Sequence, residues 1–270
     1  SVLPTASWYE KADINSTDMH SFIHPLSEAI PPVWESKSDW QIFQSLAKKM
    51  SEMSKTYLPH VMKDVVNTPL VHDSADEISQ TNLQDWSKGE CEPVPGKTMH
   101  YIKFVDRDYT KIYDKFISLG TGVAKNGLGA HGNSYKCEDV YEEMLEDRGH
   151  ISKLTDGTEY PSLKDDTEAI NAVLKLSTLT NGKLTKRTYE NMAKKIGVEE
   201  VARLGDGYEQ IEMNYRDLQA QPKRYNSSPL WSGLMHEGRT YAAYTYNIYY
   251  LVPWRRLTVR QNFYLDHDAY

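Results

Sequence analysis

The sequence has few cysteines and no long apolar run. Its two cysteines, Cys91 and Cys137, lie far apart, and neither belongs to a CxxC pair. This spacing indicates neither a zinc site nor a disulfide framework, and it favours a reducing compartment. No stretch approaches the ~18 uninterrupted apolar residues that a membrane-spanning helix needs. No secretory signal opens the chain, and we predict no direct insertion into a membrane.

Positive charge is also scarce. The 270 residues include 31 Lys and Arg against 38 Asp and Glu, which gives a formal net charge of −7. Nucleic-acid-binding proteins normally carry a basic face and an elevated isoelectric point. We therefore set nucleic acid aside as a partner.

The apolar content is low as well, because the hydrophobic fraction of 39% includes 19 tyrosines. This leaves a thin core for a chain of this length. The chain starts at Ser1 without Met and stops directly after an alternating apolar run. We expect it to be an excised piece of a longer protein that would cover part of its surface.

Periodicity predicts a mixed α+β fold with a mostly helical middle. The first clear helix begins at the capping box Ser38–Gln41, and its apolar residues continue to Met53 on a face that we expect to pack inward. Further helices are predicted from Tyr109 to about Gly120, from Glu138 to Arg148, near 164–179 and at 186–196. Alternating apolar residues predict strands at 101–105, 211–215, 241–252 and 260–265.

Two glycine-containing motifs resemble nucleotide-binding fingerprints in an unsuitable context. Gly127–Gly132 spells GxGxxG, but that motif requires a strand before it and a helix directly after it. We interpret it as a flexible glycine loop, with phosphate or cofactor contact as the alternative. Cys91–Thr98 differs from a P-loop at the first glycine, and Pro93 and Pro95 lack the N–H groups that bind phosphate.

A histidine pair offers a possible metal site. His20 and His24 are spaced i, i+4, which on a helix would aim both imidazoles at one metal ion. Pro25 follows at once, however, and no Glu stands in the HExxH register. We interpret the pair as structural and keep a mononuclear hydrolase as a third hypothesis.

Longer strings resemble a known family. The N-terminal strings are LPTASWYEK (3–11), TDMH (17–20), FIHPLS (22–27) and WESKSDW (34–40). Later strings are KGEC (88–91), PGKT (95–98), QAQP (219–222), SSP (227–229), WSGL (231–234), VPWR (252–255) and LTVRQ (257–261), followed by Asp266 and His267. In this order they resemble the catalytic (alpha) subunit of respiratory, membrane-bound nitrate reductases, over the whole chain but only loosely at 120–205.

The resemblance implies an enzyme. Members of that family reduce nitrate to nitrite at a molybdenum bis(molybdopterin guanine dinucleotide) centre, with electrons from quinol that pass through a cytochrome b gamma subunit, an iron–sulfur beta subunit and a [4Fe-4S] cluster. It implies a cytoplasmic protein, peripheral on the inner face of the membrane through its partner subunits. The family's cluster and molybdenum ligands lie in a portion that nothing here matches. We therefore assign no catalytic residue and no metal ligand.

The resemblance also implies cofactor contacts. Related enzymes commonly carry Thr-Gly-Arg where this chain reads Thr258-Val259-Arg260. Val259 does not take the positive φ that Gly allows, which disfavours a close approach of the backbone to the cofactor, so the Arg260 side chain is the first candidate. The other candidates for hydrogen bonds to pterin or phosphate are Gln261, Asp266, His267, Asn15, Thr17 and His20. Each has an alternative as an ordinary hydrogen-bonded loop residue.

The predicted architecture is therefore a partial molybdopterin-oxidoreductase fold of the α+β class. Residues 1–59 would end an α/β domain with a loop and a helix, 60–205 would form a mainly helical insertion, and 206–270 would be the β-rich start of a C-terminal cofactor-binding barrel. The alternative is a non-catalytic, Tyr-rich binding or interaction module.

Overall fold

The structure is a computed structural model, and it describes residues 2–15, 22–58, 60–67, 88–94, 102–130, 133–226, 228–229, 235–236 and 239–240. The chain divides into two compact units. The first contains the chain up to Tyr57 and from Thr110 to Tyr244, and the second contains Leu58–Tyr109 together with the C-terminal residues.

The first unit begins with a small antiparallel sheet and a long helix. Strand β1 (Asp13–Asn15) pairs with β2 (Phe22–Leu26), which pairs on its other edge with the late strand β9 (Lys223–Arg224). Helix α1 (Asp39–Tyr57) follows. The predicted capping box starts it: Gln41 N–H donates to Ser38 Oγ at 3.1 Å, and Ser38 N–H donates to Gln41 Oε1 at 3.2 Å.

The second unit contains an antiparallel hairpin. Strand β3 (Met62–Asn67) pairs with β4 (Ile102–Arg107) in a register that runs from Met62↔Arg107 to Asn67↔Ile102. Strand β4 confirms the prediction near 101–105. Strand β3 was not predicted, since it lies in a polar stretch of the sequence where prolines interrupt any period.

The first unit then continues as helices and short hairpins. The helices are α2 (Ile112–Phe116), α3 (Gly122–Asn126), α4 (Glu138–Glu146), α5 (Asp166–Leu176), α6 (Gly182–Ile196) and α7 (Tyr215–Ala220). Short 3₁₀ segments cover Tyr109–Lys111, Arg148–His150 and Glu199–Gly205. The hairpins pair β5 (Leu128–Ala130) with β6 (Asn133–Tyr135), β7 (Ile151–Lys153) with β8 (Glu159–Pro161), and β10 (Met235–His236) with β11 (Arg239–Thr240).

Two apolar clusters form the core of this unit. One joins β2, α5 and α7 through Ile23, Ile170, Leu174, Met213, Tyr215 and Leu218. The other joins β6, α4 and α6 through Tyr135, Cys137, Val140, Leu176 and Leu184. Helix α5 contributes to both clusters, so it is the central element of the unit.

Several sequence predictions are confirmed and others are corrected. The mixed α+β class is confirmed, and so are the helices predicted at 138–148, near 164–179 and at 186–196, which span 138–146, 166–176 and 182–196 in the structure. The strand predicted at 211–215 is wrong, because Asn214 and Asp217 form a capping box that starts α7. The GxGxxG segment is not simply a loop: Gly127, at a φ of 72°, ends α3, and β5 follows directly.

The face of α1 is a further correction. Ala47, Ser51 and Ser54 are buried, whereas Phe43 and Leu46 are exposed. Small residues permit the close packing of α1 on α2, where Tyr113 N–H donates to Ser51 Oγ at 2.7 Å. The β-rich barrel start was predicted over 206–270, but the described residues of 206–240 form helix α7 and the two-residue strands β9, β10 and β11, with no barrel among them. The strands predicted at 241–252 and 260–265 lie outside the described residues. Among the described helices, none is both long and apolar enough to cross a membrane.

Candidate functional site

The first unit contains a cleft of about 370 Å³ between β1, the start of α1 and α5. Its walls are mainly apolar, and charged groups stand at the end where β1 meets α1. The lining residues are Lys11, Ala12, Asp13, Ile14, Ser38, Asp39, Trp40, Asp166, Ala169, Ile170 and Val173.

A tryptophan and a glutamine hold the walls in place. Trp40 Nε1 donates to the Leu163 carbonyl at 3.0 Å, and Gln44 Nε2 donates to the Lys164 carbonyl at 2.6 Å. The Trp40 ring packs on Phe116, with ring centroids 4.6 Å apart. Because residues 163 and 164 lead into α5, these bonds fix the distance between α1 and α5.

Lys11 links β1 to α1. Its Nζ lies 3.1 Å from Asp13 Oδ2 and 2.9 Å from Asp39 Oδ2, and its side chain is only 11% exposed. Burial acts to lower the pKa of Lys11, but hydrogen bonds and attraction from Asp39 and Asp13 outweigh it and raise that pKa above its usual value. Lys11 therefore stays protonated and serves as a structural cation.

Asp166 faces the same cleft from the first turn of α5. Burial raises the pKa of Asp166, and a hydrogen bond from Ser38 partly opposes that shift. Ser38 thus both caps α1 and contacts the carboxyl group of Asp166. The two helices are joined at their N-terminal ends by this one hydroxyl group.

The composition of the lining restricts what the cleft could bind. Three carboxylates (Asp13, Asp39, Asp166) face one lysine, and that lysine is already paired. The phosphates of a dinucleotide are held by unpaired cations or by free helix N-termini, and this lining does not fit them because Ser38 and Asp165 already cap α1 and α5. Within the described residues, no group of three or more His, Cys, Asp or Glu is placed to hold a metal ion. The cleft instead suits an apolar group, as at a packing interface.

The structure describes one of the seven predicted cofactor-contacting residues. Asn15 ends β1, is partly buried, and lies opposite His24 of β2. It follows Ile14, which lines the cleft. The other six, Thr17, His20, Arg260, Gln261, Asp266 and His267, lie outside the described residues. The His20 and His24 hypothesis is untested for the same reason.

Sequence reasoning missed the charged end of the cleft. Lys11 and Asp39 are 28 positions apart, and Lys11 and Asp166 are still farther apart, so no local pattern could have joined them. The only available signal was indirect: Lys11 ends the first string that carried the family resemblance, and Asp39 directly follows the Ser38 cap.

Comparisons with known proteins agree with the resemblance. The model of the molybdopterin oxidoreductase family matches residues 1–49, and the model described as nitrate reductase alpha chain, domain V, matches residues 126–249. The nitrate reductase alpha chain of Bacillus subtilis is 41% identical over 99% of this chain, which covers 22% of that relative. The respiratory nitrate reductase 1 alpha chain of Escherichia coli is 39% identical over 99% of this chain, with 21% of the relative covered.

A shorter match extends to another reductase. The perchlorate reductase subunit alpha of Dechloromonas aromatica is 57% identical over 49 residues, 18% of this chain and 5% of that protein. The chain spans about a fifth of the length of the two alpha chains above. Matches to both family models and identity along nearly its whole length show that the chain belongs to the nitrate reductase alpha chains of the molybdopterin oxidoreductase family.

Proposed function

We propose that the polypeptide to which this chain belongs reduces nitrate to nitrite at a molybdenum bis(molybdopterin guanine dinucleotide) centre. Electrons from quinol would reach that centre through a cytochrome b gamma subunit, an iron–sulfur beta subunit and a [4Fe-4S] cluster. The observation that carries the proposal is the 39–41% identity with two proteins named nitrate reductase alpha chain, over 99% of this chain. The protein would lie on the cytoplasmic face of the membrane, held there by its partner subunits.

Within that enzyme, we assign this chain a supporting role. It would cover and position the cofactor and would supply no catalytic residue and no metal ligand. Two features support this role: the chain matches the molybdopterin oxidoreductase model only over 1–49, and Lys11 in the described cleft is engaged by two carboxylates. Cofactor contacts would come from Arg260 first, then from Gln261, Asp266, His267, Asn15, Thr17 and His20.

The first test is the activity of the complete gene product. The full reading frame is expressed with its neighbouring genes, and nitrite formation with a reduced dye is measured together with molybdenum and iron content. Nitrite production with both metals present is the expected result. A purified complex that lacks both metals and forms no nitrite would contradict the proposed activity, and the similarity would then reflect common ancestry alone.

The second test addresses the leading cofactor contact. Arg260→Ala in the complete enzyme should weaken retention of the cofactor by about tenfold or more, as expected when a charge-assisted hydrogen bond to phosphate is lost. Arg256→Ala removes the same charge four residues earlier and is the matched control. Guanine and molybdenum content are measured for both variants. Equal content in the two variants would contradict the assignment of Arg260.

The interaction module remains the second candidate, and one surface favours it. Trp8 and Trp34 are 72% and 95% exposed, on two loops that Glu10 joins by accepting hydrogen bonds from the N–H groups of Ser7 and Val33. Exposed tryptophans are common at binding surfaces. Several tyrosines do not support a Tyr-rich binding surface, because they are buried in the core: Tyr135, Tyr141, Tyr189 and Tyr215. Absence of metal and activity in the first test would bring this candidate forward.

A further inference from the structure

Helix α1 carries an apolar stripe that its own unit leaves uncovered. The α1 stripe consists of Phe43, Leu46, Met50, Met53 and Tyr57, whose side chains are 60%, 45%, 48%, 49% and 73% exposed. These residues are spaced i, i+3, i+7, i+10 and i+14, so they lie in one row along the helix. The spacing is that of the a and d positions of two successive heptads, the pattern that packs against another helix.

The orientation of α1 is the reverse of that expected for a surface helix. Its buried side consists of the small residues Ala47, Ser51 and Ser54. A helix at the surface of a globular protein normally buries its apolar stripe and exposes its polar side. Contiguous exposed apolar residues of this kind mark a surface that packs against something else.

The length of the relatives indicates what covers the stripe. Two alpha chains align with 99% of this chain, yet the chain accounts for only 21–22% of their length. Helix α1 therefore corresponds to a helix within a polypeptide about five times longer. About four fifths of such a polypeptide lies outside these 270 residues and can supply the cover.

The charged residues of α1 leave the stripe itself apolar. In the heptad that puts Phe43 at a, Lys48 and Lys55 occupy f positions, on the side of α1 away from the stripe, and both are exposed. Lys49 occupies the g position beside the stripe, and its Nζ lies 3.8 Å from Glu52 Oε2. A helix that packs on the stripe would therefore meet an apolar surface with one paired lysine at its edge.

We propose that the α1 stripe is the docking surface for a helix of the same polypeptide that lies outside these 270 residues and packs on the stripe through an apolar face. The proposal rests on the proposed function only in taking the complete gene product to be a full-length alpha chain. Docking of this helix would complete the fold around α1 before any partner subunit binds.

The test measures whether the stripe is accessible in the complete polypeptide. Met50→Cys and Met53→Cys each place one thiol in the stripe by shortening a sulfur-containing side chain, and Lys55→Cys on the polar side of the same helix is the matched control. Each variant is made in the complete gene product, purified without partner subunits, and treated with a maleimide, and labelling is read peptide by peptide by mass spectrometry. Cys137, which is fully buried, reports whether the protein is folded.

The expected result is labelling at positions 50 and 53 that is slower than at position 55 by about 100-fold or more, as for a group that reacts only after local opening. Equal rates at the three positions in folded, monomeric protein would overturn the proposal.

Other occupants of the stripe give distinct results, and each of them also overturns the proposal. A second copy would protect positions 50 and 53 only at high protein concentration. A partner subunit, or vesicles of phosphatidylglycerol and phosphatidylethanolamine, would protect them only when added. Protection already present in the isolated 270-residue chain would place the cover within this segment. A complete polypeptide that forms no nitrite but protects these positions would contradict the proposed function alone.

Discussion

Buried hydroxyl and amide groups anchor the segment around Asn226 to the start of α6. Thr185 Oγ1 donates to the Thr178 carbonyl at 2.6 Å and accepts from Asn226 Nδ2 at 3.0 Å. Asn226 N–H donates to the Leu179 carbonyl at 2.7 Å, and the hydroxyls of Thr178 and Ser228 lie 3.0 Å apart. All of these side chains are buried. The network therefore joins Asn226 and Ser228, at the family-resembling string SSP (227–229), to the helical core.

Removal of the central hydroxyl group should be costly. Thr185→Val keeps the shape of the side chain but leaves Asn226 Nδ2 and the Thr178 carbonyl without this partner, so we expect a loss of about 2 kcal/mol in the free energy of unfolding. Thr56→Val, at an exposed position of α1, is the matched control and should change stability by less than about 0.5 kcal/mol. Urea unfolding followed by tryptophan fluorescence measures both. Equal effects would show that the network adds nothing at Thr185.

At the scale of elements, the N-terminus of α6 packs unusually closely on the loop that follows the 3₁₀ segment Glu199–Gly205. Gly182 N–H donates to the Ile211 carbonyl at 2.7 Å. A Cβ atom at Gly182 would lie 1.5 Å from the Tyr208 carbonyl oxygen, and one at Gly205 would lie 2.9 Å from Lys186 Cα. Two glycines thus permit the contact between α6 and the following segment.

Gly182→Ala should therefore destabilise the chain even though alanine favours helices. The clash is with backbone atoms, which cannot rotate away, and we expect a cost of about 3 kcal/mol, the upper end of overpacking effects. Gly122→Ala is the matched control, because it also lies at the start of a helix and nothing lies within 4 Å of its added Cβ. It should be neutral or stabilise by up to about 1 kcal/mol. Thermal unfolding compares the two, and a stable Gly182→Ala variant would mean that the loop at Tyr208 moves freely.

These elements show which parts of the fold could be predicted from the sequence and which could not. Helices α4, α5 and α6 were predictable because caps and apolar period agree locally. The last of these helices was predicted to start at 186, whereas α6 starts at Gly182, whose contact with Tyr208 depends on tertiary packing that no local pattern contains. The same limit applies to the cleft, where Lys11 and Asp39 meet across 28 positions. The residues of the candidate cofactor contacts came from family resemblance and not from any period or spacing.

At the scale of the whole molecule, each of the two apolar clusters contains a buried tyrosine whose ionisation is linked to unfolding. Tyr135 belongs to one cluster and Tyr215 to the other. Their hydroxyl groups donate to the carbonyls of Leu176 and Leu26, at 2.8 and 2.7 Å. Burial raises the pKa of Tyr135 to about 12, and burial likewise raises the pKa of Tyr215. Above about pH 10, where an exposed tyrosine ionises, both clusters therefore contain groups that stay neutral only while the core is intact.

This arrangement predicts alkaline unfolding. Tyrosine in an unfolded chain ionises near pH 10, whereas Tyr135 in the folded chain ionises at about 12. Stability from this site is fully present below pH 10 and is lost as the pH rises toward 12, because the unfolded state releases its proton first. Tyr135→Phe removes the ionisation together with the hydrogen bond to Leu176. It should cost about 1 kcal/mol at neutral pH, and the difference from the unaltered chain should shrink above pH 10.

Urea unfolding at a series of pH values, together with tyrosinate absorbance, measures this difference directly. Tyr57→Phe is the control, because the Tyr57 ring is 73% exposed and its removal takes nothing from either cluster. The alkaline transition of that variant should coincide with that of the unaltered chain. A difference between Tyr135→Phe and the unaltered chain that stays constant from neutral pH to pH 12 would mean that Tyr135 ionises as readily in the folded core as in water. Stability at high pH would then depend on other groups, such as Tyr215 in the second cluster.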